Sequence, residues 1–170
     1  REAGENIMAK IPAVESGLEA METLIKERVP INATECMAVR QVMDVCRLYD
    51  RVTKNMVNPA PLYFSVITGI FDEHLKNVVD RDNIDIPADY VYQGGMAVAK
   101  KVYEMVKSNN FDCHFIGGGA RGLHHFTEMV GADAVVTINW NGTADKLIEQ
   151  DQPVVSRFFN PTPFAVVDEL

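Results

Sequence analysis

Apolar positions along this chain switch between two spacings: short runs dense in apolar residues, and longer stretches in which apolar residues recur three and four apart. The first run, residues 7–13, reads as a strand. It is followed by Ser16-Gly17-Leu18-Glu19, a capping-box pattern, and then by Leu18, Met21, Leu24, Ile25 and Val29 at helical spacing. A second strand over 30–36 precedes a helix carrying Met37, Val42, Val45, Cys46 and Leu48, closed by the polar, proline-bearing stretch 53–61. A third strand is expected over 62–71. Helical spacing returns after Asp72 with Leu75 and Val78, breaks at 80–87, and resumes as a helix over 97–106 with Val98, Val102, Met105 and Val106 on one face. Strand four is expected over 113–116, a helix between Gly122 and Gly131, strand five over 134–140 and a short helix over 144–148.

Five strand–helix units in succession predict a parallel α/β sheet, because consecutive parallel strands need a helical crossover. A doubly wound sheet and a barrel both satisfy the pattern. In either, ligands bind where strand C-terminal ends meet the following helices. Residues 1–150 are expected to form this partial barrel or sheet. Residues 151–170, with Pro153, Pro161 and Pro163, read as a tail of the same domain carrying one further short helix.

Composition adds the setting. With 170 residues, 47% hydrophobic content and a net charge of -8, the chain can bury a core and carries a negative surface, which argues against nucleic acid or an anionic membrane as partner. The longest apolar runs, around 61–71 and 132–140, are shorter than a bilayer span, and the opening residues lack the apolar stretch of an export signal. Cys36, Cys46 and Cys113 are odd in number and without metal spacing, as expected of buried free thiols in a reducing cytoplasm.

Candidate chemistry lies in polar residues that interrupt the strands. Lys10 stands among Ile7, Met8, Ile11 and Ala13, where a buried ammonium is costly unless paired or neutral, and a neutral lysine attacks carbonyls. Asn32 and Thr34, two apart, share one face of the second strand. Ser65 interrupts the third, Thr137 and Asn139 lie on the fifth, and Gly117-Gly118-Gly119-Ala120-Arg121 after the fourth brings backbone amides and a guanidinium to one turn. An inward ring of these groups would suit imine chemistry on a carbonyl substrate, with Arg121 holding a phosphate.

Ala9-Lys10-Ile11-Pro12-Ala13 with Gly17, Ile31-Asn32-Ala33-Thr34, Ser65 with Gly69, and the glycine turn ending in Arg121 together resemble, in order, the C-terminal part of transaldolases. The resemblance implies a (β/α)8 TIM barrel, of which this chain supplies about five consecutive units. It also implies a cofactor-free class I aldol mechanism, in which a dihydroxyacetone unit passes between sugar phosphates. By similarity Lys10 is the Schiff-base lysine, Thr34 helps position the catalytic water, Asn32 and Ser65 contact the substrate, and Arg121 takes its phosphate. Two departures stand out. The aspartate and glutamate that the family carries on earlier strands have no counterpart before Lys10, so the sequence reads as part of a longer polypeptide, inactive or poorly folded alone. Ile70 follows Gly69 where the family usually has an arginine, which weakens the expected phosphate clamp.

Blander roles accompany each residue. Lys10 could pair with Glu35, Asn32 and Thr34 could satisfy strand-end backbone, Ser65 could be a core hydroxyl, and Arg121 could cap a loop. His114 reads as a core residue of strand four. His124 and His125, adjacent at a helix start, are expected to point apart, one to solvent and one into the core, and not to form a metal pair. The resulting expectation is a cytoplasmic transaldolase-like transferase of the pentose phosphate type. Its partner is a small sugar phosphate, with no metal, no nucleic acid and no membrane, and with a homo-oligomer compatible. The alternatives are a simple aldolase without transfer and a non-catalytic sugar-phosphate-binding relative.

Overall fold

Strands here are short and run straight into helices, so each strand end becomes a helix start. The computed structural model describes residue 4 and residues 6–170. Along the chain come β1 (Ala9–Pro12), α1 (Glu15–Lys26), β2 (Ile31–Cys36), α2 (Val39–Thr53), β3 (Leu62–Ile67), α3 (Thr68–Asp82), α4 (Ala88–Val91), α5 (Gly94–Ser108), β4 (His114–Gly118), α6 (His124–Thr127), β5 (Ala134–Val136), α7 (Asp145–Gln150) and α8 (Phe164–Glu169). The five strands are parallel, form one sheet in the order β1-β2-β3-β4-β5, and alternate with helices, an α/β arrangement consistent with part of a TIM barrel.

The contacts divide the chain into two units. The first comprises Arg1–Ser65 and Val102–Phe115. Its β2 buries Ile31, Ala33 and Cys36, and β3 buries Leu62 and Phe64, with the Phe64 ring stacked 5.5 Å from Phe115. Met21 and Ile25, one turn apart on α1, are buried, as are Val42, Val45 and Cys46 on α2. Each of the Val, Leu, Ile, Met and Phe side chains among these contributes about 1.5–3 kcal/mol by leaving water. All three thiols are free and buried, as the odd count implied. Burial is the main cause that pushes the Cys36 thiol up to about 12, and a hydrogen bond with Cys46, with burial adding to it, pushes Cys113 up as well.

The second unit comprises Val66–Lys101 and Ile116–Leu170. Its core gathers Met96 and Ala99 of α5, Phe126 and Met129 around α6, and Val166 of α8. The tail is tied in by backbone bonds from Arg157 and Phe158 to the Val130 carbonyl. Lys100 holds both Glu128, at 3.3 Å, and the Asn160 carbonyl, at 3.0 Å.

Several boundaries differ from the periodicity. The Leu18 amide bonds the Val14 carbonyl, so Val14 caps α1, Ser16 is already helical and no capping box forms. Strand β3 stops at Ile67, four residues before the expected end, because an apolar run suits the start of a packed helix as well as a strand. Strand β5 ends at Val136, which leaves Ile138 and Trp140 exposed beyond it. His114, expected in the core, is exposed at the start of β4, its ring 4.8 Å from Tyr63.

Candidate active site

In the first unit, strand register and one hydrogen bond gather four of the five residues to which the resemblance gives roles. Lys10 is the direct partner of Asn32 across the parallel β1–β2 ladder, and Pro12 is the partner of Thr34. Registered partners on parallel strands project to the same face, about 4.8 Å apart. Ser65 on β3 extends the row by donating its hydroxyl hydrogen to Asn32 Oδ1 at 2.7 Å. Lys10, Asn32 and Ser65 therefore stand side by side on three adjacent strands, with Thr34 two residues on from Asn32. Ser65 and Thr34 are 5% and 7% exposed and Asn32 is half-buried. The Thr34 hydroxyl has no partner among the described residues and keeps contact with solvent.

Lys10 itself departs from expectation. It is exposed, not buried, and forms no ion pair among the described residues, with Glu35 or otherwise. The cause is its place on β1, an outer strand of the sheet. A side chain there has a neighbour on one side only. Glu35 is exposed and sits at a positive φ of 59°. The polar row is present, but the described residues leave its amine in water.

In the second unit the glycine turn after β4 brings Arg121 against α3. Its Nε donates to Glu73 at 3.1 Å, and Nη1 donates to the carbonyls of Gly119 and Ala120 at 3.2 and 3.3 Å. The turn lies so close to α3 that a β-carbon on Gly69 would stand 2.4 Å from the Gly119 carbonyl oxygen and 2.5 Å from the Arg121 nitrogen. Only glycine fits there. Thr137 and Asn139, expected on β5, lie beyond its end and are exposed.

Beside Arg121 is a cluster that pattern reading missed. Asp72 on α3 is 4% exposed, and its Oδ2 accepts from His125 Nε2 at 2.8 Å and from His124 Nε2 at 3.3 Å. Its Oδ1 accepts the Gly95 amide at 2.6 Å. The two histidine rings lie 3.9 Å apart, so they converge on one carboxylate instead of pointing apart. Adjacent helical positions diverge at Cβ, but both side chains here are long enough to bend back to a shared acceptor. The expectation of one packed and one wetter ring holds, with His125 1% and His124 34% exposed. Burial alone would raise the Asp72 carboxyl. The bonds from His124, His125 and the Gly95 amide outweigh it and hold the group below the ordinary 3.8. Sequence offered one usable signal, an aspartate at the buried start of a helix where an apolar residue would be expected.

The donor pattern fixes the tautomer of His125. His125 Nδ1 accepts the backbone amides of Arg121 and Gly122, each at 3.2 Å, which puts the ring proton on Nε2, facing Asp72. Asp72, His124 and His125 offer three ligand atoms within 4.8 Å of one another, the right number for a cation. Metal-bound histidines, however, use their second nitrogen as a donor, and the second nitrogen of His125 is an acceptor. As the hydrogen bonds stand, His125 Nε2 carries a proton toward Asp72 and not a lone pair for a cation. A cleft of about 430 Å³ opens beside it, lined by Lys76, Tyr92, Arg121 and His124 among others.

A family model described as transaldolase/fructose-6-phosphate aldolase matches residues 1–162. No curated protein matches the sequence. The match spans both the Lys10 row and the Arg121 turn, and with it the chain belongs to the transaldolase/fructose-6-phosphate aldolase family.

Proposed function

We propose that this chain carries class I aldol chemistry of the transaldolase kind, transferring a dihydroxyacetone unit between sugar phosphates through an imine on Lys10. The observation that supports it best is the Lys10–Asn32–Ser65 row: an amine, an amide and a hydroxyl on one face of three neighbouring strands. The Lys10 amine adds to a ketone carbonyl, the carbinolamine loses water, and the resulting iminium accepts the electron pair of the adjacent carbon–carbon bond as it breaks. Asn32, bridged to Ser65 through its oxygen, keeps its amide N–H groups for substrate hydroxyls. Thr34, with its hydroxyl unpartnered among the described residues, positions the water. Arg121 takes the anionic end of the substrate. The tail over 151–170 belongs to the same domain, and the protein works in the cytoplasm.

Reductive trapping tests this. Borohydride with fructose 6-phosphate or dihydroxyacetone should leave a mass adduct on Lys10 that is absent in Lys10→Ala. A simple aldolase shares the imine and differs in acceptor, so adding an aldose phosphate and looking for a new ketose separates transfer from cleavage. Two observations favour a second reading, a binding relative without imine chemistry: Lys10 is exposed, and Ile70 stands where the family places an arginine. That reading expects sugar-phosphate binding with no adduct.

A further inference from the structure

We infer that Asp72 and His125 are positioning residues that set the Arg121 turn for anion binding; the inference rests on the reading of Arg121 as the group that takes the substrate's anionic end. The geometry is a continuous chain of hydrogen bonds. The Gly95 amide at the start of α5 donates to Asp72 Oδ1 at 2.6 Å, His125 Nε2 donates to Asp72 Oδ2 at 2.8 Å, and the amides of Arg121 and Gly122 donate to His125 Nδ1 at 3.2 Å. Three elements distant in sequence thus meet at one buried carboxylate and one buried imidazole.

Each link depends on the one before it. An ionised carboxylate accepts only, so His125 must present a proton at Nε2; Nδ1 is then a lone pair, and the two turn amides have an acceptor. With the turn amides fixed, the Arg121 side chain leaves the turn in one direction, where Glu73 and the carbonyls of Gly119 and Ala120 hold Nε and Nη1. Nη2 is left without a hydrogen bond among the described residues, beside the cleft. Glycine at positions 69 and 95 lets the parts close up: a β-carbon at Gly95 would stand 2.2 Å from the Thr68 carbonyl oxygen and 2.9 Å from Asp72 Oδ1. Preorganisation of this kind raises affinity by removing the cost of ordering the binding group.

Three variants cut the chain at different bonds. Asp72→Asn leaves an NH2 facing either the Gly95 amide or the His125 proton, two donors with no acceptor between them. His125→Gln can still reach Asp72 but leaves the two amides without an acceptor. His125→Asn keeps an oxygen near the Nδ1 place but loses Asp72. The probe is inorganic phosphate, followed by NMR shifts of the Arg121 and Gly122 amides, with Tm recorded for each protein.

In the wild type these amides should shift and saturate. Each variant should bind phosphate about tenfold more weakly, the scale felt when a group that orients a ligand-binding group is lost. The double variant Asp72→Asn/His125→Asn should be no weaker than either single one, because both cut the same chain. In turnover, KM for fructose 6-phosphate should rise about tenfold, with KM for dihydroxyacetone unchanged and kcat within about threefold. A purely structural role would lower Tm and leave phosphate affinity and the KM ratio alone, which overturns the inference. Wild-type amides insensitive to phosphate overturn it too. Absence of any borohydride adduct on Lys10 removes the imine reading while the phosphate titration still decides this one. Should Asp72→Asn fail to fold, the two His125 variants carry the comparison.

Discussion

Asp72 shows how a single buried carboxylate can be kept ionised by its neighbours. Three donors converge on it, and their combined effect outweighs the burial that would raise its pKa. Because the folded value is depressed, the stability it brings is complete above the ordinary 3.8 and is lost as pH falls through the lower folded value. Asp72→Asn should therefore cost about 1–3 kcal/mol in urea unfolding at pH 7, and the gap to wild type should narrow on acidification below about pH 4. A gap that is constant down to acid pH would contradict this account. The residue scale is also where sequence was least informative. Asn32, Thr34 and Ser65 could be picked out because a polar side chain inside an apolar run is visible in one dimension. The meeting of Asp72 with His124 and His125, some fifty positions on, is set by how β3 and β4 deliver their following segments, and no local spacing encodes it.

At the scale of elements, the alternation of strands and helices was legible throughout, since periods of two and of three to four differ strongly when a segment has one buried face. Boundaries were legible only where punctuation was sharp. Pro30 and the polar stretch after Thr53 marked β2 and the end of α2 well. The β3–α3 junction carries no loop, and the apolar sequence from Leu62 to Phe71 gives no sign of the switch at Thr68. Gly69 is the residue that makes so direct a junction workable. Gly69→Ala would force the Gly119 carbonyl and the Arg121 amide to retreat by several tenths of an ångström or more, both being backbone. Its expected outcome is a loss of about 1–3 kcal/mol in denaturant unfolding together with displaced Arg121 and Gly122 amide signals. An unchanged midpoint would show that the turn yields freely. Within the first unit, Phe64→Ala should cost about 3–5 kcal/mol, since the ring is fully buried against Phe115.

Across the whole molecule, the α/β class with a parallel sheet followed from the count and order of units, while the barrel and the family followed from the resemblance carried by the Lys10 strand, the Asn32–Thr34 strand and the Arg121 turn in that order. Exposure of Lys10 could not be read from sequence, because it depends on what lies beside β1 in space and not on the apolar residues around it in the chain. The three thiols offer a global probe of integrity. Burial and the neighbouring Cys46 hold Cys36 and Cys113 protonated at neutral pH, so a thiol reagent should label neither in the native protein, and all three cysteines should become reactive together on unfolding. Fast labelling of Cys36 or Cys113 under native conditions would contradict the packed core described here. No helix among the described residues is long and apolar enough to cross a membrane.

The central claim is that Lys10, at the end of the row it forms with Asn32 and Ser65, is the amine that bonds to substrate. The most direct measurement is peptide-level mass spectrometry after borohydride treatment in the presence of dihydroxyacetone or fructose 6-phosphate. The account predicts one reduced adduct, confined to the peptide holding Lys10, lost in Lys10→Ala and diminished in Asn32→Ala. An unmodified Lys10 in folded protein, or label spread over surface lysines at the same rate, would contradict it.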